Sequence, residues 1–268
     1  MSFVLEPQHY TRIHSLFEEM TCHLAVQIVL AGILPGRIYV DDSASLGSAI
    51  LIPSNQHRVY ASGDPDPHLL ADALDTLFKQ SRAKSYPITI HYSSNNWESV
   101  ITQVLQKQET HSSWRQLYRL SKPSSNASSP LPEHITIGRI DEAIQADPTL
   151  INRQRLLEEI CSESPSLEYF FNHNFGFCAQ DGQTLVAWCL AEYHHQGRYE
   201  LGIETIEAYQ RKGIATHVAS AVINDAFARG ATEIGWHCWA KNMPSVATAV
   251  KLGFEKALDY PVYFCHYK

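Results

Sequence analysis

Gln210-Arg211-Lys212-Gly213-Ile214-Ala215 is the point where a strand pattern in this chain gives way to a helix pattern. Upstream, Leu201, Ile203 and Thr205 fall on one side of an alternating segment, the signature of a half-buried strand. Downstream, Ile214, Val218, Val222 and Ala226 recur at helical spacing until Gly230 stops the pattern. A glycine turn between strand and helix aims several backbone N–H groups at one point, where the helix dipole adds partial positive charge. Such a turn holds a phosphate or pyrophosphate. Gly213 lets the backbone approach the anion, and Arg211 and Lys212 add charge beside it. The expected ligand carries phosphate and sits against residues Gln210 to Ala215 and Thr216 in the first helical turn.

Taken alone, Gln-x-x-Gly-x-Ala is a pattern that many solvated turns would match. A second block narrows the choice: Asn242-Met-Pro-Ser245-Val-Ala-Thr-Ala249-Val-Lys251-Leu-Gly253-Phe254, preceded by an apolar strand pattern from Ala231 to Trp239. Asn242 and Pro244 stand where an N-cap and a first-turn proline belong, and Gly253 where a helix ends. In this order and separation the two blocks resemble the GNAT superfamily of acetyl-CoA-dependent N-acetyltransferases. The likeness extends upstream through Ser166-Leu-Glu-Tyr-Phe-Phe171, Phe175-Gly-Phe-Cys178 and the strand pattern Leu185 to Tyr193. Glu200-Leu-Gly-Ile-Glu-Thr205, Gly36-Arg-Ile-Tyr-Val-Asp41 and Val59-Tyr-Ala-Ser-Gly-Asp64 resemble the subgroup that includes the zwittermicin-resistance acetyltransferase.

The resemblance implies an α+β GNAT acyltransferase fold, a mixed central sheet flanked by helices, with acetyl-CoA as co-substrate. It implies that the strand before the loop splays from its neighbour. Main-chain N–H groups of Thr205, Ile206 and Glu207 would then hold the pantetheine and the acetyl oxygen. Asn242 and Ser245 would belong to the second cofactor-facing helix. A carboxylate near the start of the splayed strand would accept the amine proton, which fits Glu200. Alternation puts Glu200, Gly202 and Glu204 on one face, so Glu204 is the second candidate. The plain alternative makes both of them carboxylates on a solvated face. One departure stands out: many family members carry a tyrosine where this chain has Ala249, to protonate the departing thiolate. A free thiol has a pKa of about 8.5, so the thiolate leaves without a dedicated acid. Ser245, Tyr260 or Tyr263 can take that role, and His237 lies on a neighbouring strand pattern.

Composition narrows the function classes. The 268 residues suffice for one or two substantial cores, and 21 basic against 28 acidic residues give a net charge of −7. That balance argues against a nucleic-acid surface. The 6 cysteines form no Cys-x-x-Cys pair, so neither a zinc site nor a disulfide framework is expected, and free thiols suit a cytoplasmic protein. The N-terminus lacks the apolar core of a signal peptide. The most apolar run, Cys22 to Leu34, is too short to span a bilayer and reads as a core helix. His194-His195 reads as solvated residues before the hairpin turn Gln196-Gly197, with no partner at metal-ligand spacing.

A serine- and proline-rich stretch, residues 121–132, reads as an exposed linker between an N-terminal domain (1–120) and an acetyltransferase domain (133–268). The first half offers a helix from Tyr10 to Ile33, strands at Arg37–Val40, Ser48–Pro53 and Arg58–Ala61, and a helix at Asp66–Arg82. A strand at Pro87–Tyr92 and a helix at Glu98–Gln108 follow. This order can be a degenerate copy of the same fold without a cofactor loop. The expected activity is acetyl transfer from acetyl-CoA to a primary amine of a small metabolite or antibiotic. Two alternatives stand beside it, a non-catalytic acyl-CoA-binding module and a protein lysine or N-terminal acetyltransferase. Fold alone does not choose among them.

Overall fold

The structure, a computed structural model, describes residues 2–42, 46–54, 57–81, 87–123 and 130–266. In chain order the first elements are β1 (Phe3–Val4), a 3-10 helix (Pro7–Met20), α1 (Leu24–Leu30), β2 (Gly36–Val40), β3 (Ser48–Pro53) and β4 (Arg58–Gly63). They are followed by α2 (Pro67–Ser81), β5 (Ile88–Tyr92), α3 (Trp97–Val104), β6 (Glu109–Leu120), β7 (Ile135–Arg139) and α4 (Glu142–Ala146). Next come α5 (Arg153–Glu163), α6 (Leu167–His173), β8 (Phe175–Asp181), β9 (Thr184–His195) and β10 (Arg198–Thr205). The chain ends with a 3-10 turn (Glu207–Tyr209), α7 (Ile214–Ala228), β11 (Glu233–Trp239), α8 (Met243–Lys251) and β12 (Glu255–His266).

The chain divides into two compact units, Met1–Trp114 with Tyr260–Lys268, and Arg115–Asp259. In the first, the strands run β1-β2-β3-β4-β5-β12, antiparallel except for the parallel pair β4/β5. In the second they run β7-β8-β9-β10-β11-β6, again antiparallel except for β10/β11. Element order repeats as well: a strand, helical turns, three antiparallel strands, a helix crossing to a parallel strand, a second helix and a last strand. The N-terminal half is thus a second copy of the mixed, helix-flanked arrangement. The last strand of each copy joins the other unit, since Arg115–Leu120 of β6 pairs with β11 and Tyr263–Cys265 of β12 pairs with β5.

That exchange moves the boundary away from the expected linker. Residues 121–132, of which 124–129 lie outside the described residues, connect β6 to β7, and both β7 and the Arg115–Leu120 part of β6 belong to the second unit. Serine and proline mark an exposed connection and are silent about which sheet the flanking strands join. The expected helix from Tyr10 to Ile33 also divides: His23 is extended (φ −100°, ψ 104°), and Leu24 begins a separate α-helix. Thr21, Cys22 and His23 are weak helix formers, so nothing local carries the helix through them. β6 has no clear strand signature in the sequence, because its first half is polar and its burial comes from Leu117, Tyr118 and Leu120.

Both faces of the second unit's sheet are covered. Tyr199 and Leu201 of β10 pack with Val218, Val222 and Ala226 of α7, with Ile203 partly buried against them. The opposite face packs Trp188 and Leu190 of β9 against Leu156 and Ile160 of α5 and Phe170 of α6. Each such side chain contributes about 1.5–3 kcal/mol by leaving water. On the α5 face Glu200 is buried within this layer, whereas Glu192 and Glu204 are half-buried.

Candidate active site

β10 and β11 are paired only from Arg198/Glu233 to Leu201/Trp236, whereas β10 stays paired with β9 as far as Thr205. Beyond Leu201 the two parallel strands separate, leaving a cleft walled by main chain on one side. Ile206 N–H donates to Val186 O at 2.9 Å, toward β9. Alternation then turns the N–H groups of Ile203 and Thr205 toward the cleft. Of the three residues expected to hold the pantetheine, Thr205 faces the cleft and Ile206 does not, because its donor is spent on β9. The Ile203 N–H lies on the same side as that of Thr205. Glu207 opens a 3-10 turn, and its carbonyl accepts from Gln210 N at 3.1 Å.

The loop after β10 ends on Gly213, the N-cap of α7, with left-handed backbone (φ 79°) and no side chain capping the helix. Arg211 is left-handed too (φ 61°). Thr216 N and His217 N donate back to Gly213 O at 3.1 and 3.4 Å, so Gly213, Ile214 and Ala215 carry the N–H groups that the helix itself leaves over. Successive N–H groups in such a turn form a concave anion cradle. Thr216 is buried beneath it. Gln210 is engaged elsewhere, since its side-chain Nε2 donates to Thr205 O at 3.2 Å and ties the loop to the end of β10. Lys212 Nζ lies 4.8 Å from the centre of the Tyr209 ring, and Tyr209 donates to Asp181 Oδ2 at 2.8 Å.

The corresponding helix of the first unit is built differently. Asp66 Oδ1 accepts from His68 N at 2.8 Å and Leu69 N at 3.1 Å, so α2 carries its own carboxylate at its N-terminus. A phosphate there would meet negative charge already in place.

In α8, Asn242 acts as the expected N-cap, its Oδ1 accepting from Ser245 N at 3.2 Å. Ser245 Oγ accepts from Trp236 Nε1 at 3.0 Å, so the hydroxyl serves a core indole. Ala249 is fully buried in the same core as Trp236, Leu252 and Phe254. Tyr260 and Tyr263 belong to the first unit, where Tyr260 packs 5.1 Å from the His23 ring and Tyr263 6.0 Å from Tyr92.

The α5-facing side of β10 carries carboxylates from several elements. Glu200 is only 7 % exposed, and His237 Nε2 of β11 lies 3.5 Å from its Oε1. Its Cγ leans over Gly235, where an added Cβ would be 3.4 Å away. Glu204 is ion-paired with Arg155 of α5. One turn along α5, burial and then a hydrogen bond with Glu204 push the Glu159 carboxyl up to about 8, although Trp188 Nε1 donates to its Oε2 at 3.0 Å. Both influences favour the protonated form of Glu159, which can donate to Glu204. A further turn on, Glu163 accepts from Tyr193 OH.

Glu192 completes the row. The β9/β10 register shifts between Glu200/Tyr193 and Leu201/Ala191, so Glu192 is an extra residue in β9, a bulge. A Cβ added to Gly202 would lie 1.7 Å from Glu192 Oε1, so this carboxylate occupies the space of a Gly202 side chain. The sequence carries signals for these further residues. Glycine inside a strand marks a close approach, and Arg155, Glu159 and Glu163 recur every four residues on one helical face.

Cys178, Cys189, Cys238 and Cys265 are buried free thiols. Among the described residues no helix is long and apolar enough to cross a membrane.

Comparison with known proteins agrees with this geometry. Residues 14–263 match the model of the GNAT acetyltransferase family. YdfB of Bacillus subtilis (strain 168), described as an uncharacterized N-acetyltransferase, is 26 % identical over 260 residues, 97 % of each chain. A GCN5-related N-acetyltransferase-like protein from Streptococcus suis 89/1591 is similar in structure, with a TM-score of 0.74 at 21 % identity over 97 % of this chain and 99 % of that one. A tandem GNAT protein from the clavulanic acid biosynthesis pathway gives a TM-score of 0.57 at 10 % identity over 99 % and 98 %.

Proposed function

The chain belongs to the GNAT acetyltransferase family and is an acyltransferase, and from that premise we propose that it moves an acetyl group from acetyl-CoA to the primary amine of a small cationic metabolite. One observation carries the proposal: the cleft between β10 and β11 opens beside an α7 N-terminus that no side chain caps. Pyrophosphate would rest on the N–H groups of Gly213, Ile214 and Ala215, with Arg211 and Lys212 beside it. The pantetheine would follow the Ile203 and Thr205 amides into the cleft. There an amide N–H can polarise the thioester carbonyl as negative charge develops on its oxygen.

The acceptor enters from the α5 side, where Glu192, Glu200 and Glu204 favour a positively charged amine. That preference, together with the resemblance of residues 200–205 to the zwittermicin-resistance subgroup, supports a small amine over a protein substrate. Free thiols at Cys178, Cys189, Cys238 and Cys265 and dependence on acetyl-CoA support a cytoplasmic setting. The buried Ala249 leaves no phenol for the departing sulfur, and a thiol of pKa about 8.5 needs none.

Incubation of the full chain with acetyl-CoA and primary amines, following thiol release and acetylated product, tests the proposal. Release that depends on the amine is expected. Acetyl-CoA binding with no release for any amine or peptide would favour a non-catalytic binding module, and release only with lysine peptides would favour a protein substrate.

A further inference from the structure

We propose that Glu192, the unpaired residue at the bulge in β9, is the residue that accepts the proton from the acceptor amine. This rests on the acetyltransferase reading above and names the group that would perform its first proton transfer. Three carboxylates compete for the role along one face of β10, and their positions relative to the cleft separate them. Glu200 sits where β10 and β11 are still zipped together, at the pair Glu200/Gly235, enclosed against His237. Glu204 lies two residues beyond Gly202 and is held by Arg155 and by the Glu159 carboxyl of α5. Glu192 instead occupies the side-chain space of Gly202, the first residue of β10 beyond its last pair with β11. Glu192 is half-buried and so keeps contact with solvent, beside the point where β10 leaves β11.

The local sequence is arranged for this. Trp188, Leu190 and Glu192 alternate onto the α5 face of β9, and the bulge leaves Glu192 without a directly opposed residue, between the Leu201 and Glu200 pairs. Any residue larger than glycine at 202 would collide with the carboxylate. Two features on neighbouring strands therefore serve one placement.

In the reaction, Glu192 takes one proton from the ammonium, directly or through a water, and passes it to solvent after turnover. The neutral nitrogen attacks the thioester carbonyl carbon. The C–N bond forms, the C–S bond breaks, and one of the two protons left on the nitrogen goes with the departing sulfur to give the free thiol, while the other stays on the product amide. Groups facing the same space are Glu200, Glu204 and Tyr193 from β9 and β10, Arg155, Glu159 and Glu163 from α5, and His237 from β11.

The test measures acetylation of putrescine, 2-aminoethanol and glucosamine by the full chain and by Glu192→Gln, Glu200→Gln and Gly202→Ala, with acetyl-CoA affinity and melting temperature for each. Glu192→Gln is expected to lower kcat by about 10²–10⁴-fold while the acetyl-CoA Kd stays within about twofold. The loss should shrink as pH rises and free amine becomes abundant. Gly202→Ala keeps the carboxylate but displaces it, so turnover should fall there too with acetyl-CoA binding retained. Wild-type turnover and pH profile in Glu192→Gln, or a larger loss in Glu200→Gln, would overturn the proposal. If the wild-type chain binds acetyl-CoA yet acetylates no amine, the proposed function itself falls, and this assignment with it.

Discussion

Glu159 is a carboxyl whose surroundings favour the protonated form, and that has a measurable sign. Burial and the Glu204 hydrogen bond raise it to about 8 from the usual 4.5. Below about pH 4.5 the folded and unfolded chains both hold the proton, and the group costs nothing. Between that pH and about 8 the unfolded chain has released it while the folded chain retains it, so stability falls as pH rises. Glu159→Gln keeps an acceptor for Trp188 and a donor for Glu204 without that cost. The variant should gain stability at pH 8, by a few kcal/mol at most, and little at pH 5. Urea denaturation at the two pH values checks this; equal shifts at both would rule out a retained proton. Ala249 makes a second test at the same scale. The missing tyrosine invites restoration, but the position is sealed in the core with Trp236 and Phe254. Ala249→Tyr should therefore cost about 1–3 kcal/mol by overpacking, seen as a lower melting temperature, with no gain in turnover.

Two helices, α2 and α7, occupy equivalent places in the two copies and differ at their first residue. Asp66 fills the N-terminus of α2 with its own carboxylate, whereas Gly213 leaves that of α7 to an external anion. Calorimetry on the full chain should thus give one acetyl-CoA site, and Gly213→Asp should abolish it by placing a like charge in the anion cradle. Aspartate tolerates left-handed backbone better than most residues, so the fold should survive. A folded Gly213→Asp chain that binds acetyl-CoA at wild-type affinity would remove the loop from the site. At this scale the sequence is most legible. The strand-turn-helix around Gly213 and the Asn242 cap use local rules of spacing and backbone conformation, and the structure places both where those rules put them. The proton-transfer region is only half legible. Glu200 and Glu204 share a face by simple alternation, and Glu192 follows Trp188 and Leu190 onto it, but its approach to Gly202 and the arrival of Glu159 and Glu163 from a helix distant in sequence depend on packing. The role expected of the Ile206 amide fails for a related reason, since its direction depends on which neighbour β10 keeps beyond Leu201.

At the scale of the whole molecule, the exchange of last strands decides what can be cut. A boundary drawn at the serine- and proline-rich stretch suggests that a chain beginning near Pro130 would be a complete acetyltransferase. It would lack β6, whose residues Arg115–Leu120 pair with β11 from Trp239 to Ile234. Tyr118 and Leu120 lie in the same core as α7, Trp236 and Phe254. Removing these two side chains forfeits about 1.5–3 kcal/mol each, before the hydrogen bonds of the ladder are counted. That loss is a large share of the stability of an ordinary domain, about 5–15 kcal/mol. It would also leave β11 as a bare edge beside the cofactor cleft, an invitation to intermolecular pairing. A chain of residues 130–268 should consequently be unfolded or aggregated and bind no acetyl-CoA. A chain of residues 109–268, which restores β6, should recover near- and far-ultraviolet circular dichroism to a greater degree. Both are read by circular dichroism, thermal melting and calorimetry. A cooperative melt and full acetyl-CoA affinity in residues 130–268 would show that β6 is dispensable, and that the unit boundary lies at the exposed connection after all.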